Sequence, residues 1–217
     1  MSGPVKGRPY RSPLRAEQAS NTRARILTAA RELFTDVGYP RTTIGQVGLA
    51  AGVAADTVLH VFGSKKGLLR AVLDVETGGD DADVRVLDRD EPQAMRRETD
   101  QRRQIAMFSA GMTEQLERIR PIDDILRSAA AVDVDARELR DDIQLRQRRE
   151  AMTTIASWIA DNGGLRDGVD VPDAADIIWT LTSPEVHQLL RDHCAWDVEK
   201  YRRWLRDALE RSLLKDS

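Results

Sequence analysis

Apolar residues recur every three to four positions along nearly the whole chain, and no stretch shows the strict alternation of a half-buried strand. Ile26, Ala30, Leu33 and Val37 lie at offsets 0, 4, 7 and 11, one face of a helix over residues 22–37, with Leu27 and Phe34 beside it. Gly38 stands where a helix commonly ends in left-handed backbone. Thr43-Ile44-Gly45-Gln46 has the form of a capping box, in which Thr43 and Gln46 satisfy each other's free amides. The helix it opens buries Ile44, Val47, Gly48 and Ala51. Gly48 lowers helix propensity by about 1 kcal/mol, for which a close helix–helix approach is the usual compensation. A third helix starts near Ala55, buries Val58 and Phe62, and stops at Gly63. Ser64 then caps a fourth, which returns Leu68, Leu69 and Val72 to the core. The turn Ala51-Gly52-Val53-Ala54 therefore joins two short helices as a helix-turn-helix, a unit whose second helix can enter the major groove of DNA.

Residues 77–90 are Gly/Asp-rich and charged, and predict a linker. Beyond it the helical period returns. Ile105, Phe108, Ser109, Met112, Leu116 and Ile119 share a face, Pro121 predicts a break, and Ile122, Ile125, Leu126 and Ala129 begin another face. A long helix from about Ala136 carries Leu145, Met152, Ile155 and Ile159, and Asn162-Gly163-Gly164 ends it. Pro172 opens the next, with Ala175, Ile178, Trp179 and Thr182 as its stripe. Ser183-Pro184-Glu185 interrupts it before Val186, Leu189 and Leu190. The last helix, over residues 197–214, places Tyr201, Trp204, Leu205, Ala208 and Leu209 on one side. The expected fold class is all-α. A three-helix helix-turn-helix DNA-binding domain occupies residues 21–73, and a C-terminal helical ligand-binding and dimerisation domain follows over 74–217. Residues 1–20 form a flexible basic arm with Lys6, Arg8, Arg11 and Arg15, either laid along DNA or simply solvated.

Charge sharpens this picture. Residues 1–70 hold eleven Lys/Arg against four Asp/Glu, whereas 71–217 hold twenty-two against thirty-two, so a +7 segment is followed by a −10 one. That asymmetry points to nucleic acid, which the whole-chain charge of −3 conceals. Cys194 is the only cysteine, which excludes an intrachain disulfide and fits a reducing compartment. The N-terminus lacks the apolar centre of a secretion signal, and no run approaches the ~18 apolar residues of a membrane span, so a cytoplasmic location is expected. Glycine-rich phosphate loops, nucleophile elbows and paired catalytic carboxylates are missing, so neither an enzyme nor a cofactor is expected. His187, His193 and Cys194 are the one group with the look of metal ligands. The two histidines stand six apart, on different sides of a helix, and no metal site is expected.

Thr22-Arg23-Ala24-Arg25-Ile26-Leu27, Ala29-Ala30, Leu33-Phe34, Gly38-Tyr39, Thr42-Thr43-Ile44, Ala51-Gly52-Val53, Asp56-Thr57-Val58, Phe62 and Ser64-Lys65-Lys66-Gly67-Leu68-Leu69 keep one register over about fifty residues. That run resembles the N-terminal domain of TetR-family transcriptional regulators. The resemblance implies that Ala55, Asp56 and Leu59 face base edges, where Ala and Leu can meet a thymine methyl and Asp can accept from cytosine. It implies phosphate contacts for Thr43, Thr57, His60 and Lys65, with Tyr39 a weaker backbone candidate. Asp56 has a second reading, as a carboxylate favouring its helix dipole. Two positions depart from the family: Leu59 replaces a usual Tyr, and Ala54 replaces a usual capping residue.

Met95, Phe108, Met112, Met152, Ile155, Trp158 and Trp179 are the candidate lining of an apolar ligand pocket, since methionine and aromatic side chains adapt to varied ligands. Plain core is the alternative for each. Val186, Leu189, Leu190, Tyr201, Trp204, Leu205 and Ala208 are the candidate homodimer interface, because the last two long helices carry more apolar surface than their own core needs. The expected function is sequence-specific transcriptional regulation: a dimer on a pseudo-palindromic operator of double-stranded DNA, acting as a repressor released by a small apolar or amphipathic effector. A DNA-binding regulator without a small-molecule ligand, and a helical enzyme or carrier with a vestigial DNA-binding domain, are the alternatives.

Overall fold

The computed structural model describes residues 13–82 and 84–215. All regular structure among them is helical. The succession is α1 (Pro13–Asp36), α2 (Ile44–Ala51), α3 (Ala55–Phe62), α4 (Lys65–Gly78), α5 (Asp90–Arg97), α6 (Gln101–Ala130), α7 (Val134–Asp141), α8 (Arg148–Asp161), α9 (Val171–Leu181), α10 (Pro184–Gln188) and α11 (Val198–Leu213). Wider π-helical turns, Asp142–Gln147 and Leu189–His193, follow α7 and α10.

The helix borders follow local chemistry. Thr43 Oγ1 accepts the Gln46 amide at 3.2 Å and Gln46 Oε1 accepts the Thr43 amide at 2.8 Å, the reciprocal box expected for α2. Ser64 Oγ accepts the Gly67 amide at 3.0 Å and starts α4. Asp170, Ser183 and Asp197 cap α9, α10 and α11 in the same way.

Three borders differ from the sequence pattern. The first helix begins at Pro13, so its opening turns take up residues 13–20 of the expected arm, while residues 1–12 lie outside the described residues. Proline suits a first helical turn, and Ala16, Glu17, Gln18 and Ala19 favour helix, so propensity alone extends it. Pro121 does not break the chain: α6 runs through it for 30 residues. The proline withholds only the bond that the Glu117 carbonyl would have received, and burial of Leu116 on one side and Ile122 and Leu126 on the other holds the helix together. Finally, the expected linker is tied down. Helix α4 reaches Gly78, Arg89 bonds both oxygens of Asp80 at 2.9 Å, and Arg23 bonds Asp81 at 2.8 Å.

Two apolar cores share α6. The first gathers Ile26, Ala30 and Phe34 of α1, Val47 of α2, Val58 of α3 and Leu68, Leu69 and Val72 of α4. It also takes Ile122, Leu126 and Ala129 from the second half of α6 and Leu139 from α7, so the helix-turn-helix segment completes its core with residues beyond 73. The second core joins Ile105, Phe108 and Leu116, from the part of α6 before Pro121, to Met152, Ile155 and Ile159 of α8, Ile178 of α9, and Tyr201, Leu205 and Leu209 of α11. Pro121 lies at the boundary between them. Ion pairs tie α4 to α7 and the turn after it alongside the first core, Lys66 to Glu138 at 2.7 Å and Arg70 to Asp142 at 2.9 Å.

Candidate DNA-binding surface

Helices α2 and α3 meet at 105°, within the range of helix-turn-helix units. Gly52, at φ +67°, closes α2 in left-handed backbone, and its amide returns to the Gly48 and Leu49 carbonyls. Gly48 is buried, and a Cβ there would lie 2.9 Å from the Val53 carbonyl oxygen and 3.2 Å from the Ala55 amide nitrogen. The absence of a side chain is what lets α3 start so close to α2. Thr42 fastens the preceding turn, its hydroxyl donating to the Gly38 carbonyl at 2.9 Å.

With Val58 turned into the core, the opposite side of α3 is left to solvent. Asp56, Leu59 and His60 are exposed, Leu59 by 42 %, and Ala55 and Thr57 are half-buried. An exposed leucine on a short helix is not needed by the core and is free to meet a partner. Asp56 lies in the first turn of α3, where its charge also favours the helix dipole. Ala54 supplies no side-chain bond to that N-terminus. Thr43 is exposed but its hydroxyl already serves the α2 cap.

Lys65, expected at phosphate, lies in the first turn of α4, with its ammonium 4.3 Å from the Tyr39 ring centre and 3.3 Å from the Pro40 carbonyl oxygen. Burial lowers its pKa, against a smaller opposing pull from Asp133. Tyr39 is itself buried edge-on against Phe34, with 5.3 Å between ring centres. Burial, then Asp133 and Asp135, push its hydroxyl up to about 12. Tyr39 is thus a platform for Lys65 and a packing partner of α1.

The other candidate residues separate into two groups. Met95, Phe108, Met152 and Ile155 are buried in the second core, and Met112, Trp158 and Trp179 pack against it. Two surface concavities of about 320 and 290 Å³ lie elsewhere, one lined by Thr99, Gln101 and Asn162, the other by Trp196, Lys200 and Trp204. Of the dimer candidates, Leu189 is 56 % exposed, and Val186, Leu190, Trp204 and Ala208 are half-buried. Tyr201 and Leu205 are a correction: both are fully buried inside one chain, because the inner face of α11 covers α6 and α9, so neither can meet a second copy. His187 is buried and bonds Glu117 at 2.9 Å, whereas His193 and Cys194 are exposed. Among the described residues no group of three or more His, Cys, Asp or Glu could hold a metal. No single described helix is long and apolar enough to cross a membrane.

Sequence reasoning missed Arg148 and Asp123, charged groups drawn half or fully into the C-terminal half, whereas Ser109 stood on the expected apolar face of α6. The helical offsets of the two charged residues could have placed them on inward faces. Their charge alone gave no sign of it.

Comparison with known proteins agrees with this geometry. Residues 26–72 match the family of bacterial regulatory proteins, tetR family. The chain is 41 % identical over 58 residues to TtgW of Pseudomonas putida, described as an uncharacterized HTH-type transcriptional regulator, covering 27 % of this chain and 43 % of that protein. It is 34 % identical over 56 residues to UidR, an HTH-type transcriptional regulator of Escherichia coli, covering 26 % and 29 %. The match thus spans less than half the length of these relatives. Over the whole fold, the chain resembles NalD, the secondary repressor of the MexAB-OprM multidrug efflux pump in Pseudomonas aeruginosa. The TM-score is 0.68 at 22 % identity, covering 92 % of this chain and all of NalD. It also resembles FadR of Bacillus subtilis, a transcriptional regulator solved with stearoyl-CoA, at TM-score 0.63 and 16 % identity over 86 % of this chain and 96 % of FadR. These relatives are regulators rather than enzymes. Residues 26–72 thus match the tetR-family domain, and the all-helical fold as a whole resembles that of these solved regulators.

Proposed function

We propose that this protein is a cytoplasmic, homodimeric transcriptional repressor that binds a pseudo-palindromic operator through α3 and releases it when a small amphipathic effector binds the C-terminal helices. The observation that carries the reading is the outer face of α3, where Ala55, Asp56, Leu59 and His60 stand clear of the core in a segment of net charge +7. Thr43, Thr57 and Lys65 surround that face as phosphate contacts. One short helix reads only a few base pairs, so two copies at fixed spacing supply the specificity. The exposed Leu189 and the half-buried Val186, Leu190, Trp204 and Ala208 offer the surface for the second copy. Regulators of similar fold include a pump repressor and a protein solved with an acyl-CoA, which supports control by an amphipathic molecule. Helix α6 contributes to both cores, so a ligand that shifts its first half acts on the DNA-binding half.

Mobility shifts on the chain's own upstream region test the reading. Lys65→Ala should weaken binding to all sequences alike and lower the salt slope by about one unit per subunit, whereas Asp56→Ala should change which sequences bind. Equal, uniform losses from both would refute the division into phosphate and base contacts. Sedimentation should give a dimer at micromolar concentration that Leu189→Glu with Trp204→Glu dissociates. A regulator without an effector is the second reading, favoured by the packing of the seven pocket candidates into one core.

A further inference from the structure

The C-terminal core is not uniformly apolar. Arg148, Met152, Ile155 and Ile159 lie at offsets 0, 4, 7 and 11 on α8, so a cation heads an apolar stripe. The Arg148 guanidinium lies 5.4 Å from the centre of the Trp179 ring. It donates to the Trp179 carbonyl, to Thr182 Oγ1 at 2.8 Å and to Gln144 Oε1 at 3.5 Å. These acceptors are all neutral. Among the described residues no carboxylate forms an ion pair with Arg148: Glu185 is held by Arg140, and Asp123 makes no hydrogen bond. Burial lowers the pKa of Arg148 to about 10, against the pull of Glu185, Tyr201 and Asp123.

Tyr201 of α11 is fully buried within electrostatic reach of this cation, and its hydroxyl has no partner among the described residues. Its ring packs edge-on against His187, 4.8 Å between centres, so its position is fixed by packing rather than by a bond of its own. Ser109 of α6 likewise buries a hydroxyl without a partner among the described residues. The two π-helical turns flank the same region. One ends at Gln147, immediately before Arg148, and the Gln144 carbonyl within it accepts Trp179 Nε1 at 3.0 Å; the other begins at Leu189. Turns of this kind gather at functional sites.

A half-buried cation served only by neutral acceptors, with the unused Tyr201 hydroxyl within its electrostatic reach, lacks one component: an acceptor carrying full negative charge. A single oxyanion has lone pairs enough for a guanidinium and a phenol together, and charge-assisted bonds are the stronger kind. We propose that α6, α8, α9 and α11 enclose the site of an amphipathic oxyanion, its head received by Arg148 and Tyr201 and its tail laid along Met152 and Ile155. Thr182 Oγ1, bonded to Arg148 and 3.8 Å from Met152 Sδ, marks the junction of head and tail. The inference rests on the reading of these helices as the effector domain and adds the charge of the effector.

Calorimetric titration of the full chain with dodecanoate, dodecyl phosphate and dodecanol tests it. At least one anion should bind about tenfold or more tightly than the alcohol. A preference for dodecanoate assigns a carboxylate, and the reverse assigns a phosphate ester. Tyr201→Phe, which removes one atom, should weaken the anion by about tenfold, leave dodecanol unchanged, and leave the ligand-free melting temperature equal or higher. A hydroxyl that only packed would not separate the two ligands. Arg148→Gln should abolish the preference for charge. Equal affinity for the three compounds, failure of both anions to bind, or an unchanged anion affinity in Tyr201→Phe overturns the site. Because the titration contains no DNA, anion binding without operator release would instead overturn effector control and leave the site standing.

Discussion

The two cores that share α6 are built to different standards. In the first, the buried side chains are apolar apart from Thr42, whose hydroxyl is bonded. The turns between its helices are closed by Gly38, Gly52 and Gly63, all at positive φ. The C-terminal half buries Gln104, Ser109, Thr113, Asp123, Gln144, Thr182 and His187, leaves two hydroxyls without partners, and interrupts its helices with two π-helical turns. Satisfied, close-packed cores hold one geometry, which suits a helix that must present fixed side chains to DNA. Unsatisfied polar groups in a core raise its energy until something pairs with them, which suits a domain that changes on binding.

Phe34→Ala would break the comparison most directly. The ring is fully buried in the first core and its removal should destabilise the protein by ~3–5 kcal/mol in urea denaturation. A cost well below that range would mean the first core collapses around the cavity and is no more rigid than the second.

Asp123 gives the next largest effect, of opposite sign. It is 6 % exposed, and burial, then Glu185, raise its pKa to about 6 against Arg140 and Arg127, with Asp124 adding to the rise. A carboxyl with a raised folded pKa binds more protons folded than unfolded between its ordinary 3.8 and 6, so stability falls as pH rises through that window. Asp123→Asn should therefore stabilise the protein at pH 7 by ~1–3 kcal/mol. The gain should shrink below pH 6 and vanish below about pH 4. His187, whose pKa is lowered chiefly by burial, acts in the other direction: its neutral form is favoured, so stability is lost as pH falls below 6.5. Comparing wild type with Asp123→Asn across pH isolates the carboxylate, and a pH-independent difference would sink this account.

Two glycines sharpen the contrast at smaller scale. Gly48→Ala should destabilise by ~1–2 kcal/mol despite the better helix propensity, since its Cβ meets backbone at 2.9 Å. Gly111, mid-helix in α6, has no atom within 4 Å of the place a Cβ would take, so it should tolerate alanine and gain ~0.5–1 kcal/mol. Thermal melts of the pair read both signs. The smallest change is Ala54→Ser, which restores a cap to α3 and should add ~0.5–1 kcal/mol. No change in its melt would show that the α2–α3 contact already fixes that terminus.

The sequence by itself determined the helix-turn-helix. Thr43 with Gln46, Gly52, Gly63 and Ser64 act on amides a few residues away, and Val58 and Leu68 keep to one helical face, so local chemistry was enough to write the element borders and the outward side of α3. Only the tertiary structure decided the rest. Pro121 reads as a break until two cores on either side of it hold α6 straight through. Tyr201 and Leu205 lie on the same stripe as Trp204, and periodicity cannot say whether that stripe meets another helix of the chain or another copy. Nothing near Arg148 in sequence shows that it turns inward, because its partners Trp179 and Thr182 lie more than thirty residues away, and Asp123 reads as a solvated carboxylate although it is buried. Caps and turns are short-range and leave a signature in neighbouring residues; burial is a property of which helices meet, and no window of sequence contains it.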